Sequence, residues 1–201
     1  MCNTNIRSMT EQELNNYIDE TREKINKLME QYFKENNEKI KNIEEVYDLK
    51  EKAFKIKSIF KYVEWVNKKM DMNDDSLERK STIPKRGEIW TCELGQNIGS
   101  EENKIRPVIV IQNNTGNEKG PTTIVVPISN RQKKIKVHIQ LRESDYILVK
   151  GEAQKVTGTV LCEQIKVVSK VRLGRHIATL KDEFVKILDI KLKNSLELQT
   201  K

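Results

Sequence analysis

Thr122-Thr123-Ile124-Val125-Val126-Pro127-Ile128 is a short run of mostly β-branched residues that directly follows Pro121. Such runs, bounded by Gly or Pro, favour β-strands because branched side chains pack well on a pleated surface. The run 136–141 alternates apolar and polar residues, as a half-buried strand does. Strands are predicted at residues 88–94, 108–112, 122–128, 136–141 and 159–168. Short strands separated by turns predict a compact, mostly antiparallel β-barrel.

The first part of the chain has a different period. All eight glycines and all four prolines lie between Pro84 and Gly174, whereas residues 10–70 contain neither. In that region apolar residues recur every three or four positions, which predicts two long helices with a break at Asn36-Asn37. Thr10 and Glu13 have the spacing of a capping box. The two apolar seams are Leu14, Ile18, Thr21, Ile25, Leu28 and Tyr32, then Val46, Leu49, Ala53, Ile56, Phe60 and Val63.

Neither narrow seam can be buried by its own helix, so the helices are expected to pair as a hairpin, to dimerise or to lie on another surface. The polar stretch 71–76 is interpreted as a linker. A final helix is expected after Thr179 as N-cap, with Phe184, Ile187 and Leu188 facing the barrel. The predicted fold class is α+β, with an α-helical hairpin or coiled-coil segment over residues 1–80 followed by a small antiparallel β-barrel with a C-terminal helix over residues 81–201.

Charge is unevenly distributed along the chain. The net charge is +7, with −1 in residues 1–84 and +8 in residues 85–201. A basic half attracts polyanions, so nucleic acid is a reasonable partner, although a lysine-rich soluble surface explains the charge equally well. The three cysteines are far apart and lack zinc-ligand spacing, which is typical of reduced thiols in a cytoplasmic protein. No stretch approaches the length of a membrane span.

Five motifs occur in a fixed order in the basic half. They are Lys85-Arg86-Gly87-Glu88-Ile89-Trp90, then Gly99-Ser100-Glu101-Glu102-Asn103-Lys104-Ile105-Arg106-Pro107-Val108 continuing to Gln112-Asn113, then Pro121 to Ser129, Val137-His138-Ile139, and Leu161-Cys162-Glu163-Gln164-Ile165-Lys166. This ordered set resembles the MazF/PemK family of ribonuclease toxins and covers about residues 85–198.

The resemblance implies an SH3-like barrel that forms homodimers and binds single-stranded RNA, including mRNA, in a groove across the dimer. It implies cleavage without a metal or other cofactor, and neutralisation by a cognate antitoxin protein whose tail occupies the groove. The implied chemistry is attack of a ribose 2′-hydroxyl on the adjacent phosphate, which leaves a 2′,3′-cyclic phosphate and a 5′-hydroxyl.

Arg106 matches the family's catalytic arginine. A planar guanidinium can bind two phosphate oxygens and stabilise the charge that develops on them. Because guanidinium scarcely loses a proton near neutral pH, Arg106 is a poor general base, and the base stays unassigned. Ser129 stands where the family usually has threonine and keeps the hydroxyl that could contact the phosphate or the 2′-hydroxyl. The alternatives are an Arg106 that pairs with a surface carboxylate and a Ser129 that caps a turn.

Seven further residues are candidates for RNA binding on the strength of the resemblance or of their charge. For each, a structural role is the alternative: an exposed loop acid, a glutamine that bonds neighbouring strands, a packed histidine or a solvated basic loop. They are Ser100, Glu101, Arg131, Lys134, His138, Gln164 and Lys166.

Two other functions are open at this point. The same barrel serves toxins like CcdB, which inhibit DNA gyrase by binding it, although Arg106 and Glu163-Gln164 favour the nuclease. The second possibility is a degenerate RNA-binding or interaction module, which the serine at position 129 would suit. The helical segment is expected to serve in dimerisation or partner binding, and inhibition in cis is the weaker possibility because its net charge of −1 makes a poor RNA mimic.

Overall fold

The computed structural model describes residues 6–78, 82–130 and 135–198. The chain divides into two compact units, Met1–Lys61 and Tyr62–Lys201. The helices are α1 Glu11–Val46, α2 Leu49–Glu78, α3 Asn114–Lys119 and α4 Asp182–Ser195. The strands are β1 Glu88–Glu93, β2 Ile105–Val110, β3 Thr122–Ser129, β4 Ile139–Leu141, β5 Tyr146–Leu148, β6 Gly158–Val160, β7 Lys166–Ser169 and β8 Leu173–Leu180.

Helix α1 begins as the sequence predicts. Thr10 is its N-cap, and the side chains of Thr10 and Glu13 form the reciprocal bonds of a capping box. The predicted break at Asn36-Asn37 is wrong, because α1 continues to Val46. Asn36 is accommodated by a hydrogen bond of 2.7 Å from its Nδ2 to the Tyr32 carbonyl, one turn earlier.

The apolar seam of α1 is not covered within its own unit. None of the residues Glu11–Val46 is buried, and Ile25 and Leu28 are 51% and 66% exposed. The two helices meet near the bend between them, where the Lys55 ammonium lies 3.6 Å from the centroid of the Tyr47 ring. Among the described residues, no helix combines the length and the apolar character that crossing a membrane would require.

Helix α2 runs through the polar stretch for which the sequence predicts a linker. Residues 71–76 are helical, so the linker prediction is wrong. Their polarity does not prevent a helix because the stretch contains neither Gly nor Pro. Met70 and Asn73 also line a groove whose other wall includes Val171 and Arg172, so tertiary contacts support this end of the helix.

The strands form one curled antiparallel sheet in the order β4-β6-β3-β2-β1-β8-β5, and β7 pairs with β3. The predicted antiparallel fold followed by a C-terminal helix is confirmed. The predicted strand 159–168 is wrong as a single element, because it is divided into β6 and β7 by a turn over residues 161–165. A hydrogen bond of 2.9 Å from the Gln164 N–H to the Leu161 carbonyl closes this turn, which no Gly or Pro signals. The strand predicted at 136–141 is limited to β4.

Alternation along the central strands gives the sheet two buried faces. Ile89, Ile109 and Val126 contribute to one face, on which α4 packs through Phe184 and Leu188. The opposite face is a second cluster formed by Trp90, Cys92, Leu94, Val108, Val110, Val125 and Val168.

The start of α4 differs from the prediction. Its N-cap is Lys181 and not Thr179, which lies within β8. Asp182 and Glu183 occupy the first turn. Ile187 was expected to face the barrel but is 47% exposed, whereas Leu192 is buried one turn further along.

Within the unit Tyr62–Lys201, the end of α2 packs on the sheet through an aromatic and an ionic contact. A Cβ placed on Gly95 would lie 2.3 Å from Cζ2 of Trp65, so the indole needs a glycine there. The Arg172 guanidinium lies 5.2 Å from the centroid of the Trp65 ring, and Lys68 forms an ion pair with Glu93. Gly95 has φ +88°, which also disfavours any side chain at this position.

We expect Gly95→Ala to lower the free energy of unfolding by about 2–4 kcal/mol, since it adds backbone strain and a clash with Trp65. In a Trp65→Ala background the clash is absent, and the same change should cost only about 1 kcal/mol of strain. Urea unfolding followed by circular dichroism measures both costs. Equal costs in the two backgrounds would contradict the packing of Trp65 on Gly95.

Burial raises the pKa of the Cys92 thiol from 9.0 to about 12, against the opposing charge of Arg172. Above pH 9 the unfolded chain therefore loses a proton that the folded chain keeps, so stability falls as pH rises. We expect this thiol to contribute up to about 1.4 kcal/mol of lost stability per pH unit above pH 9. Urea unfolding at pH 8, 9 and 10 should show a flatter dependence for Cys92→Ala than for the parent; parallel curves would contradict the assignment.

Candidate active site

The register between β2 and β3 brings two candidate residues together. Val108 pairs with Pro127 and Val110 with Val125. Arg106 lies two residues before Val108 on β2, and Ser129 lies two residues after Pro127 on β3. Both side chains alternate onto the face of the sheet that carries Val108 and Val125, because residues two apart on a strand share a face. The guanidinium and the hydroxyl are therefore on the same face of the sheet, and both contact the carboxylate of Glu102.

Arg106 is anchored at one end of its guanidinium. Its Nε lies 3.0 Å from Oε2 of Glu102, which is ion-pair distance, but the N–H direction is unsuited to a hydrogen bond. The side chain is 28% exposed, and its two terminal nitrogens make no hydrogen bond or ion pair with any of the described residues. The terminal nitrogens are therefore available to an incoming anion, whereas Nε is held by the protein.

Ser129 is nearly buried, with 2% of its surface exposed. Its hydroxyl donates a hydrogen bond of 2.8 Å to Oε1 of Glu102. Ser129 pairs with Thr159 across β3 and β6, and the neighbouring Gly158 has φ +142°. A Cβ on Gly158 would lie 2.7 Å from the Ser129 carbonyl oxygen, so a glycine is needed for this close approach of the two strands.

Glu102 is the residue that sequence reasoning missed. It is 6% exposed and contacts both Arg106 and Ser129 with its two carboxylate oxygens. The Gly-Ser-Glu motif directed attention to Glu101, and two adjacent acids in a loop do not reveal which one turns inward. The one available signal is a carboxylate four residues before Arg106, which is weak because this segment is not helical.

Gln164 connects the turn between β6 and β7 to the loop that carries Glu102. Its Oε1 accepts a hydrogen bond of 2.8 Å from the Glu102 N–H, and its Nε2 donates one of 3.2 Å to the Ser100 carbonyl. Asn97 donates from Nδ2 to the Glu102 carbonyl at 2.7 Å. The backbone of Glu102 is therefore fixed on both sides, and Gln164 belongs to the site as a support of the loop.

An open cleft of about 820 Å³ adjoins this loop. Ser100, Glu101, Gln164 and Lys166 line it together with apolar residues such as Ile165. The Lys166 ammonium lies 2.9 Å from Oε2 of Glu101 in a partly exposed ion pair. The cleft thus combines a positive group, hydrogen-bonding groups and an apolar floor, a combination that suits a nucleotide chain.

His138 lies one residue away from the cleft. Its ring is 5% exposed, and its Nε2 is 2.8 Å from Oε1 of Glu163, a cleft residue. Two other candidates, Arg131 and Lys134, lie outside the described residues. Within residues 6–78, 82–130 and 135–198, no group of three or more His, Cys, Asp or Glu side chains is arranged to hold a metal ion.

Comparison with known proteins identifies relatives of this domain. A family model described as PemK-like, MazF-like toxin of type II toxin-antitoxin system matches residues 85–196. A curated endoribonuclease MazF from Staphylococcus saprophyticus is 36% identical over 118 residues, which are 58% of this chain and 93% of the relative.

Solved structures with a similar chain course include MazF from Deinococcus radiodurans, which is 18% identical with a TM-score of 0.48 and covers 58% of this chain and 99% of its own. Another is an endoribonuclease from a mycobacterial species in complex with its cognate antitoxin. This endoribonuclease is 19% identical with a TM-score of 0.47, and the match covers 59% of this chain and 99% of that chain.

The matched segment contains Arg106, Ser129, Glu102 and the whole cleft, and it makes up more than half of the chain. The chain therefore belongs to the PemK-like, MazF-like toxin family of type II toxin–antitoxin systems.

Proposed function

We propose that this protein is a toxin that cleaves single-stranded RNA, including mRNA, by attack of a ribose 2′-hydroxyl on the adjacent phosphate. The products are a 2′,3′-cyclic phosphate and a 5′-hydroxyl, and the reaction needs no metal ion. Membership of the toxin family supports the endoribonuclease activity in general terms. The particular chemistry is inferred from the residues of the candidate site.

The observation that carries the proposal is that Arg106 and Ser129 both contact the carboxylate of Glu102. A guanidinium with two uncommitted terminal nitrogens stands on the same face as a buried hydroxyl, beside a cleft with a partly exposed lysine. In-line attack on a phosphodiester accumulates negative charge on its non-bridging oxygens. The terminal nitrogens of Arg106 can bind those oxygens in a bidentate manner and stabilise them as the charge develops.

Ser129 is proposed to contact the attacking 2′-hydroxyl. Its hydroxyl donates to Glu102, and because a serine oxygen is also a hydrogen-bond acceptor, it is proposed to accept the hydroxyl proton of the substrate. Lys166, Ser100 and Gln164 are proposed to bind nucleotides that flank the cleaved bond in the cleft. Glu101 holds the Lys166 ammonium in the cleft.

Membership of the family supports proposals for two protein partners. The antitoxin that defines a type II system is proposed to neutralise this toxin by occupying its RNA site. A second copy of the chain is proposed to complete a homodimer, with the RNA groove crossing both barrels. The site of action is proposed to be the cytoplasm, where mRNA is found.

The purified protein is expected to cut a pool of single-stranded RNA oligonucleotides with EDTA present, and Arg106→Ala should slow cleavage by about a hundredfold to a thousandfold. The reason is the loss of the group that stabilises the developing phosphate charge. Gel analysis of timed reactions measures the rate, and end-group analysis identifies the cyclic phosphate.

Arg106→Lys is the matched control for charge. It keeps a cation near the buried Glu102 carboxylate, so folding is protected, but it lacks the planar fork and should still cut slowly. Intact RNA after incubation with the parent protein would refute the proposed function. Cleavage by Arg106→Ala at the parent rate would refute the role of this arginine.

Ser129→Ala should reduce the cleavage rate by about a hundredfold, because it removes the hydroxyl proposed to contact the 2′-hydroxyl. Ser129→Thr restores a hydroxyl and should cut faster than Ser129→Ala. Single-turnover cleavage of one oligonucleotide by the three proteins makes the comparison. If Ser129→Ala matches the parent while Ser129→Thr is slow, the hydroxyl has no part in the reaction.

A further inference from the structure

The carboxylate of Glu102 stands between the two side chains to which the proposed function assigns chemistry. Oε1 accepts the hydrogen bond from the Ser129 hydroxyl at 2.8 Å, and Oε2 lies 3.0 Å from Nε of Arg106. At 6% exposure, this charge is held almost entirely away from water. Burying an ionised carboxylate costs several kcal/mol unless it is paired, and Glu102 has a cation and a hydroxyl as partners.

The position of this carboxylate is imposed by the loop between β1 and β2. Gln164 and Asn97 bond the Glu102 backbone on its N–H and carbonyl sides. The loop is closed by hydrogen bonds of 2.9 Å from the Leu94 N–H to the Lys104 carbonyl and of 2.6 Å from the Lys104 N–H to the Gly95 carbonyl. Lys104 adopts φ +66°, an unusual conformation for a residue with a side chain. A strained, closely bonded loop is thus used to place Glu102.

We infer that Glu102 is the positioning residue of this site and the final acceptor of the 2′-hydroxyl proton, which reaches it through Ser129. This inference rests on the proposed RNA cleavage. It supplies the general base that neither Arg106 nor Ser129 can provide alone, since a guanidinium stays protonated and a serine hydroxyl is a weak base without a partner.

The 2′-hydroxyl proton reaches Glu102 in two linked transfers. The 2′-hydroxyl gives its proton to Ser129 Oγ as the Ser129 hydroxyl proton passes to Oε1 of Glu102. The 2′-oxygen forms its bond to phosphorus, and the bond from phosphorus to the 5′-oxygen breaks. The 5′-oxygen takes a proton from solvent water, and Glu102 later returns its proton to solvent. Arg106 remains protonated throughout.

The contact between Glu102 and Arg106 favours a positioning role for Glu102 over an inhibitory one, in which the carboxylate would compete with the phosphate for Arg106. A carboxylate that competed with the phosphate would be expected to bond the terminal nitrogens, which are the phosphate-binding end of the fork. Glu102 instead contacts Nε, at the opposite end. The ion pair therefore holds the guanidinium on its Nε side and leaves its terminal nitrogens for the substrate.

Among the described residues, few charged groups surround Glu102. Arg106 contacts it from β2, while the Glu101–Lys166 pair adjoins it on the same loop and on β7. The His138–Glu163 pair adjoins Gln164 on the turn before β7. A pH dependence that arises from Glu102 must therefore be distinguished from one that arises from His138.

The test compares Glu102→Gln with the parent on one cleavable RNA oligonucleotide selected from a random single-stranded pool, from pH 4.5 to 9. The amide keeps the size and the acceptor for Ser129 but cannot take up the proton. We expect kcat to fall at least about a hundredfold without a rise in KM, and the acid limb of the pH–rate profile to disappear. Glu102→Asp should recover part of the rate together with the acid limb, and His138→Asn should retain that limb.

Glu152→Gln is the matched control. Glu152 is also nearly buried and lies 2.8 Å from an arginine Nε, that of Arg175, but this pair is on the β8 side of the sheet. Its removal should alter thermal stability and leave cleavage unchanged.

Several outcomes would overturn the inference while leaving the proposed function intact. Cleavage by Glu102→Gln at or above the parent rate would show that the carboxylate is dispensable or competes with phosphate. A slow Glu102→Gln with an unchanged acid limb would show a purely structural role. A parent protein that leaves every RNA intact would overturn the proposed function and this inference together, whether or not it binds a 2′-deoxy version of the pool.

Discussion

The register between β2 and β3 is the constraint on which the candidate site depends. Pairing of Val108 with Pro127 fixes the register, and the side-chain period of two places Arg106 and Ser129 on the face that carries Val108 and Val125. A slip of one residue on either strand would move Arg106 or Ser129 to the side of the sheet on which α4 packs. Because Val108, Val110 and Val125 are fully buried, such a slip would also expose a large apolar surface. The core therefore protects the geometry of the site.

Glu102 adds an electrostatic constraint to this register. A buried carboxylate with one cation and one hydroxyl as partners is a poor device for stability, because replacing buried ion pairs by apolar groups is often neutral or favourable. Its placement needs two side-chain bonds to its backbone and an unusual backbone angle at Lys104. Backbone strain of this kind is typical of functional sites. Placement of Glu102 is therefore a physical reason for the shape of the loop between β1 and β2.

The helical segment divides into two parts with different environments. The end of α2 is part of the second unit, where Trp65 and Lys68 contact Gly95 and Glu93, the residues from which the loop of Glu102 begins. The seam of α1 keeps apolar residues such as Ile25 and Leu28 exposed, as is typical of a helix that pairs with another surface.

By itself the sequence determined the change from helical to strand periodicity, the antiparallel class of the sheet, the capping box of α1 and the two motifs that contain Arg106 and Ser129. These features depend on local patterns, in which each residue type has its own conformational preference. The tertiary structure decided the rest. It divided the run after Gly158 into two strands, continued α2 through a polar stretch, and turned Glu102 rather than Glu101 towards Arg106. In each case the outcome depends on contacts between residues far apart in the chain, such as those of Glu102 with Ser129 and Gln164, which no local pattern encodes.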